Sequence, residues 1–213
     1  MKRIIILILI SFITLHTKSI IFTNKDKELL KNDPTKKAVY LRFKKYLELK
    51  KKIQNFSVEK KLSYVNIFYN KTLPLDDQNR YRLDDYWATP KEFIIQGRGD
   101  CEDYAIAKYF ALLEVGIPKD KLFLTMVNVK GSKNYHMVLS YIKNKKSIPL
   151  ILDNLSFRVL ALDKRTDLSA KFIFNEKESF ILKNNRIYKK AQINWGKENK
   201  WENLLKRVYE KNE

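Results

Sequence analysis

The 213-residue chain contains one cysteine, Cys101, and two histidines, His16 and His136. A single cysteine excludes an internal disulfide, and so few nitrogen and sulfur ligands exclude zinc centres built from several Cys and His side chains. Glycine and proline number five each, which argues against long disordered linkers. No internal repeat and no low-complexity tract is present. Long apolar runs are absent apart from Ile4 to Leu15, which follows Met1-Lys2-Arg3 and is interrupted by Ser11 and Thr14. That run falls short of the roughly 20 apolar residues of a spanning helix. It predicts a signal peptide over residues 1–19, with Thr17 and Ser19 before the cut, or else an uncleaved anchor. Either reading puts the rest of the chain outside the cytoplasm.

Acidic residues are the next scarcity. Lys and Arg total 43 against 24 Asp and Glu, a formal charge of +19. The basic residues are spread along the chain and form no nucleic-acid motif, so they predict a solvated basic surface and no nucleic-acid partner. A basic exported binding module is the non-enzymatic alternative.

What remains is enough for a core: 45% hydrophobic and 13% aromatic residues. The length predicts a single domain over residues 20–213. Apolar residues at helical spacing among lysines predict N-terminal helices over about residues 25–70, with a capping Ser57. Thr89-Pro90 opens a short helix that delivers the chain to Gly97-Arg98-Gly99. An amphipathic helix closes the domain at about residues 196–211.

The chain is organised around Gly99-Asp100-Cys101-Glu102-Asp103-Tyr104 and the apolar residues after it. Asp100 reads as an N-cap with Asp103 completing a capping box, and Gly116 and Pro118 supply the stop. Ala105, Ile106, Tyr109, Leu112 and Leu113 recur at helical spacing, so a helix runs from about Cys101 to Val115. Cys101 then sits in the first turn, where free N–H groups and the helix dipole favour a thiolate.

Beyond that helix the period changes to two. Leu122–Val129, His136–Ile142 and Leu150–Leu155 read as strands, and Phe172–Phe174 and a hairpin around Asn184-Asn185 follow. With Asn144-Lys145 as a two-residue hairpin loop, His136 lies directly opposite Asp153. A cysteine at a helix start, a histidine on one strand and an aspartate on the next are the parts of a thiol nucleophile with an oriented base. Attack on a carbonyl gives a thioester that water resolves by hydrolysis or an amine by transamidation, and the residues leave both open. The Cys101 backbone N–H is one candidate oxyanion donor, with Gln96 or Trp87 as another.

Several blocks resemble the LapG-type bacterial transglutaminase-like cysteine proteinases: Tyr86-Trp87-Ala88-Thr89-Pro90 with Glu92-Phe93, Gly97 to Phe110, His136-Met137-Val138-Leu139, and Pro149 to Leu155. The resemblance runs from about Val65 to Asn175. It implies an α+β fold of the papain-like or transglutaminase-like kind, with a Cys-bearing central helix packed on an antiparallel sheet bearing His and Asp. It further implies a Cys101, His136, Asp153 triad in a periplasmic endopeptidase that cleaves a large surface adhesin near its N-terminus, at paired alanines, to control biofilm attachment. It implies dependence on calcium, with Asp100 and Glu102 matching the family's acidic residues beside the cysteine. The implied inhibitor is the periplasmic domain of an inner-membrane receptor for cyclic di-GMP.

Overall fold

Local chemistry sets the helix boundaries. Thr23 and Asp26 form a capping box that opens α1, Asn24–Asn32, and Asp33 with Pro34 turns the chain into α2, Lys37–Ile53. The Ser57 hydroxyl accepts from Lys60 N–H and starts α3, Val58–Asn70. Both helices bury one stripe, Phe43, Tyr46, Leu49 and Ile53 on α2 and Leu62, Val65 and Tyr69 on α3. Most lysines between them stay in water, while Lys50 and Lys61 turn inward to Glu114 and the Val115 carbonyl. A short strand β1, Leu73–Pro74, pairs in parallel with β2, Arg98–Gly99.

The computed structural model describes residue 20, residues 22–74 and residues 86–209, without the side chains of residues 73–74. Residues 1–19, expected to be a signal peptide, and the acidic residues Asp76, Asp77, Asp84 and Asp85 lie outside the described residues.

Thr89 and Glu92 form the capping box of α4, Pro90–Gln96, which ends on Gly97 in the left-handed region at φ 69°. The Arg42 guanidinium donates to the carbonyl of Ile94 at 2.7 Å, giving that helix end a cation. Helix α5, Cys101–Glu114, is buried along most of its length and is the centre of the main core.

Seven strands follow: β3 Leu122–Val129, β4 Tyr135–Tyr141, β5 Leu150–Asp153, β6 Ser156–Ala161, β7 Leu168–Phe174, β8 Ser179–Lys183 and β9 Arg186–Lys190. They form one antiparallel sheet in the order β6-β5-β4-β3-β7-β8-β9. The face carrying Leu122, Leu124, Met137, Leu139 and Leu152 packs on α5 in the larger cluster. The opposite face, with Phe123, Val127, Val138, Ile151 and Ile173, builds a second, smaller cluster. Alternation along each strand produces this division. The closing helix α6, Lys200–Tyr209, buries Trp201, Leu204 and Val208. Its Arg207 donates to Glu92 at 2.9 Å and also to Tyr86 and the Trp87 carbonyl, tying the end of the chain to the entry of α4.

Four expectations are corrected. The turn between β4 and β5 is longer than Asn144-Lys145, with Lys146 N–H on the Asn144 side chain, so Leu139 faces Leu152 and Tyr141 faces Leu150. His136 and Asp153 are thereby displaced by two residues from direct opposition. A two-residue shift keeps side chains on the same face, whereas one residue would have separated them. The third strand stops at Asp153, and β6 was not anticipated, because Asn154-Leu155 turns the chain where the apolar run had suggested continued strand. The final helix starts at Lys200, after Gly196 at φ 69°. Asp100 occupies the N-cap of α5, but its side chain makes no capping hydrogen bond, and buried Asp103 accepts from Ala88 N–H at 2.7 Å.

Candidate active site

The N-terminus of α5 meets β4. Gly99 has to be small, since a Cβ there would stand 2.7 Å from the Asp103 side chain. This close passage turns the chain into the helix with Cys101 as its first residue. The Cys101 sulfur accepts from the backbone N–H of Met137 at 3.4 Å, so the thiol rests on β4 at the residue after His136. Its own proton points to Glu102 Oε2, 3.1 Å away. The resting thiol is bonded to Glu102 and Met137 rather than to the imidazole.

His136 and Asp153 are brought together. His136 Nε2 lies 2.7 Å from Asp153 Oδ1, and both side chains are buried. Burial alone would raise the Asp153 pKa. Bonds from His136, Leu155 N–H and Arg165 more than offset it and hold the carboxyl at about 2. An ionised carboxylate only accepts, so Nε2 carries the proton and Nδ1 is left as the basic nitrogen.

The thiol is not the activated one that the helix dipole suggested. Burial raises its pKa, the Glu102 carboxylate raises it further, and the Met137 N–H opposes them too weakly to prevail. Burial first, and the neighbouring carboxylate second, work against the thiolate that the first turn would favour.

The structure adds residues that the sequence reading missed. Arg165 Nη2 donates to Asp153 Oδ2 at 2.7 Å. Asn70 of α3 donates to the Asp153 carbonyl at 2.7 Å and to the Ser156 carbonyl at 2.9 Å, and Asn66 donates to the same Ser156 carbonyl at 2.8 Å. Asn66 in turn accepts from buried Lys108 of α5 at 2.8 Å. Burial lowers the Lys108 pKa to about 7, against the pull of Asp153. The missed strand β6 hid this set, because it brings Arg165 and Ser156 back beside Asp153.

Of the candidate oxyanion donors, the Cys101 N–H sits in the first turn of α5, Gln96 ends α4 half buried, and the Trp87 ring packs against Phe174 and Trp195. Asp100 and Glu102 flank the thiol with carboxylate oxygens, the donor chemistry suited to calcium. The Asp100 side chain is not spent on capping. Among the described residues no three Cys, His, Asp or Glu gather as a metal cluster, so the two carboxylates fit part of a calcium site.

No curated protein sequence matches this chain. Among solved structures, Legionella pneumophila LapG in its EGTA-treated form is 34% identical, with a TM-score of 0.72 over 86% of this chain and 96% of that one. The calcium-bound form of Legionella pneumophila LapG gives the same identity and TM-score over 86% and 97%. These likenesses give the chain a transglutaminase-like α+β cysteine protease fold. The family described as bacterial transglutaminase-like cysteine proteinase matches residues 44–179. From a match across most of the sequence and a shared fold at this identity, the chain belongs to the bacterial transglutaminase-like cysteine proteinase family.

Proposed function

We propose that the protein is a periplasmic thiol endopeptidase in which Cys101 is the nucleophile, His136 the general base and Asp153 the residue that orients it. The observation that carries this reading is the 2.7 Å bond between His136 Nε2 and Asp153 Oδ1 on the strand whose next residue holds the Cys101 sulfur. Asp153 fixes the tautomer, so His136 Nδ1 takes the thiol proton once the thiol leaves Glu102. The thiolate attacks a peptide carbonyl carbon, and the oxyanion is met by the Cys101 N–H, with Gln96 or Trp87 as a second donor. The imidazolium then protonates the departing amine, leaving a thioester. Water, deprotonated by the same nitrogen, releases the acid and restores the thiol.

The substrate that family resemblance supports is a large exported adhesin cut near its N-terminus at paired alanines, with release from a biofilm as the consequence. The periplasmic domain of a cyclic di-GMP receptor is its proposed inhibitor. Calcium, present in one of the similar LapG structures, would be held here by Asp100 and Glu102. It would supply positive charge beside the thiol, completed by oxygens other than these two carboxylates.

The test is alkylation of Cys101 by iodoacetamide alongside digestion of an adhesin fragment read by mass spectrometry. Hydrolysis yields two shorter chains, and His136→Ala slows both alkylation and cleavage. Alkylation that is indifferent to His136→Ala sinks the reading, and heavier crosslinked products would replace hydrolysis with transamidation.

A further inference from the structure

Asp153 is engaged from both sides. Oδ1 accepts from His136 Nε2 at 2.7 Å and from Leu155 N–H at 3.0 Å, while Oδ2 accepts from Arg165 Nη2 at 2.7 Å. The guanidinium is itself anchored outward, with Nε 2.9 Å and Nη2 2.7 Å from the two oxygens of Asp167. Arg165 is 6% exposed and the Asp167 side chain about half exposed, so the fork spans from the surface to the buried carboxylate.

We infer that Arg165 is a positioning residue for the proposed hydrolysis, acting through Asp153 to fix the His136 ring and to offset part of the carboxylate's charge. The inference rests on the triad reading. A carboxylate bonded through a different oxygen to each partner cannot rotate without breaking one of the two bonds. The guanidinium stays charged at every working pH, so it offsets part of the Asp153 charge that the imidazole meets, while its outward side is held by the half-exposed Asp167. Asp153 then orients the ring without over-stabilising its protonated form. This matters because the imidazolium must surrender its proton to the leaving amine. Lys108 of α5 and, behind Arg165, the Asp167 carboxylate also face Asp153, while Asn66 and Asn70 of α3 meet the backbone of the β5–β6 turn with neutral groups. Mutual bonds to Asp167 hold Arg165 firmly charged.

The experiment follows the His136 ring by nuclear magnetic resonance across pH in the full chain carrying His16→Gln, so that one imidazole gives all the signals. Arg165→Met is expected to move the ring's titration midpoint up by about half a unit or more, because Asp153 loses its neutralising partner. It should also slow Cys101 alkylation at pH 7 several-fold. Arg165→Lys keeps the buried cation and serves if the methionine variant fails to fold. Its midpoint should stay near that of the parent while the alkylation rate falls, since one ammonium cannot reproduce the fork. A ring that titrates identically in Arg165→Met, or in Arg165→Lys an unchanged alkylation rate, overturns the inference and reduces Arg165 to a structural ion pair. Those results leave the proteinase reading intact, because that reading is sunk separately, by alkylation that ignores His136→Ala.

Discussion

The two ends of α5 use carboxylates in opposite ways. At the C-terminal end Glu114 accepts from Tyr46 Oη at 2.9 Å and from Ile20 N–H at 3.1 Å, and it is also paired with Lys50. At the N-terminal end Glu102 faces the Cys101 thiol, whose pKa burial and the carboxylate raise. One carboxylate is surrounded by donors that stabilise its charge and stitches α2 and the start of the described chain to the core. The other sits where its charge works against forming a thiolate. A buried charge met by a cation and neutral donors secures the fold, whereas a half-buried one set against an ionisable nucleophile controls chemistry.

Changing each end in turn breaks that comparison at its strongest point. Cys101→Ser should lower peptide cleavage by about a thousandfold or more while circular dichroism and the thermal midpoint stay close to those of the parent. Glu114→Ala should do the converse. Removing one partner from a buried pair costs about 3 kcal/mol, read as a lower denaturant midpoint, with the alkylation rate of Cys101 in the folded protein unchanged. If Glu114→Ala slowed alkylation as much as it lowered stability, the two ends would not be separable.

Lys108 stands between them, buried beside Asn66. Its pKa is lowered to about 7, so above that pH the folded protein binds fewer protons at this site than the unfolded chain, whose lysines titrate near 10.4. Stability therefore rises with pH between about 7 and the unfolded value, and the cost of the buried charge is fully present below pH 7. Urea unfolding should show Lys108→Met without this component. The difference between parent and variant should change by about 1 kcal/mol or more from pH 6 to pH 9. A pH-independent difference would mean that Lys108 stays charged throughout, held by Asn66 and Asp153.

The fold class was legible because it depended on period and punctuation. Helical spacing from Ala105 to Leu113, the short apolar run of Leu122–Val129, and Asn184-Asn185 at φ 50° and 59° in a hairpin each carry a local signal. The pairing of His136 with Asp153 was also legible, though by a register two residues in error; the face survived because strand side chains repeat every second residue. What could not be read was anything set by long-range contact. Arg165 reaches Asp153 only through β6, a strand hidden behind Asn154-Leu155, and the choice of Glu102 rather than His136 as the thiol's partner is a matter of rotamers. Asp103 read as a capping residue because its spacing fits, and no local signal marked that its Oδ1 would also accept from Ala88 N–H.

Glu102→Gln sharpens the N-terminal half of the comparison. The amide keeps the shape and loses the charge, so the thiol pKa should fall, and alkylation at pH 8 in chelated buffer should rise several-fold. Burial is the larger cause of the raised value, so the thiol should remain harder to ionise than a solvent-exposed one. Equal alkylation rates in parent and variant would assign the effect to burial alone.

The smallest expected effect lies at the approach to the site. Thr89 accepts from Glu92 N–H at 3.2 Å, and Glu92 returns a bond to Thr89 N–H at 2.8 Å while also holding Arg207 of α6. Thr89→Ala removes one half of this box and should cost about 1 kcal/mol, seen as a thermal midpoint a few degrees lower. Helix α4 leads through Gly97 to Gly99 and Cys101, so the same variant asks whether rigidity at the entry is transmitted to the nucleophile. Because Arg207 and the Glu92 carboxylate remain, the segment should stay docked and the alkylation rate should change less than twofold. A larger loss of reactivity than of stability would make α4 part of the chemistry of the N-terminal end rather than a support for it.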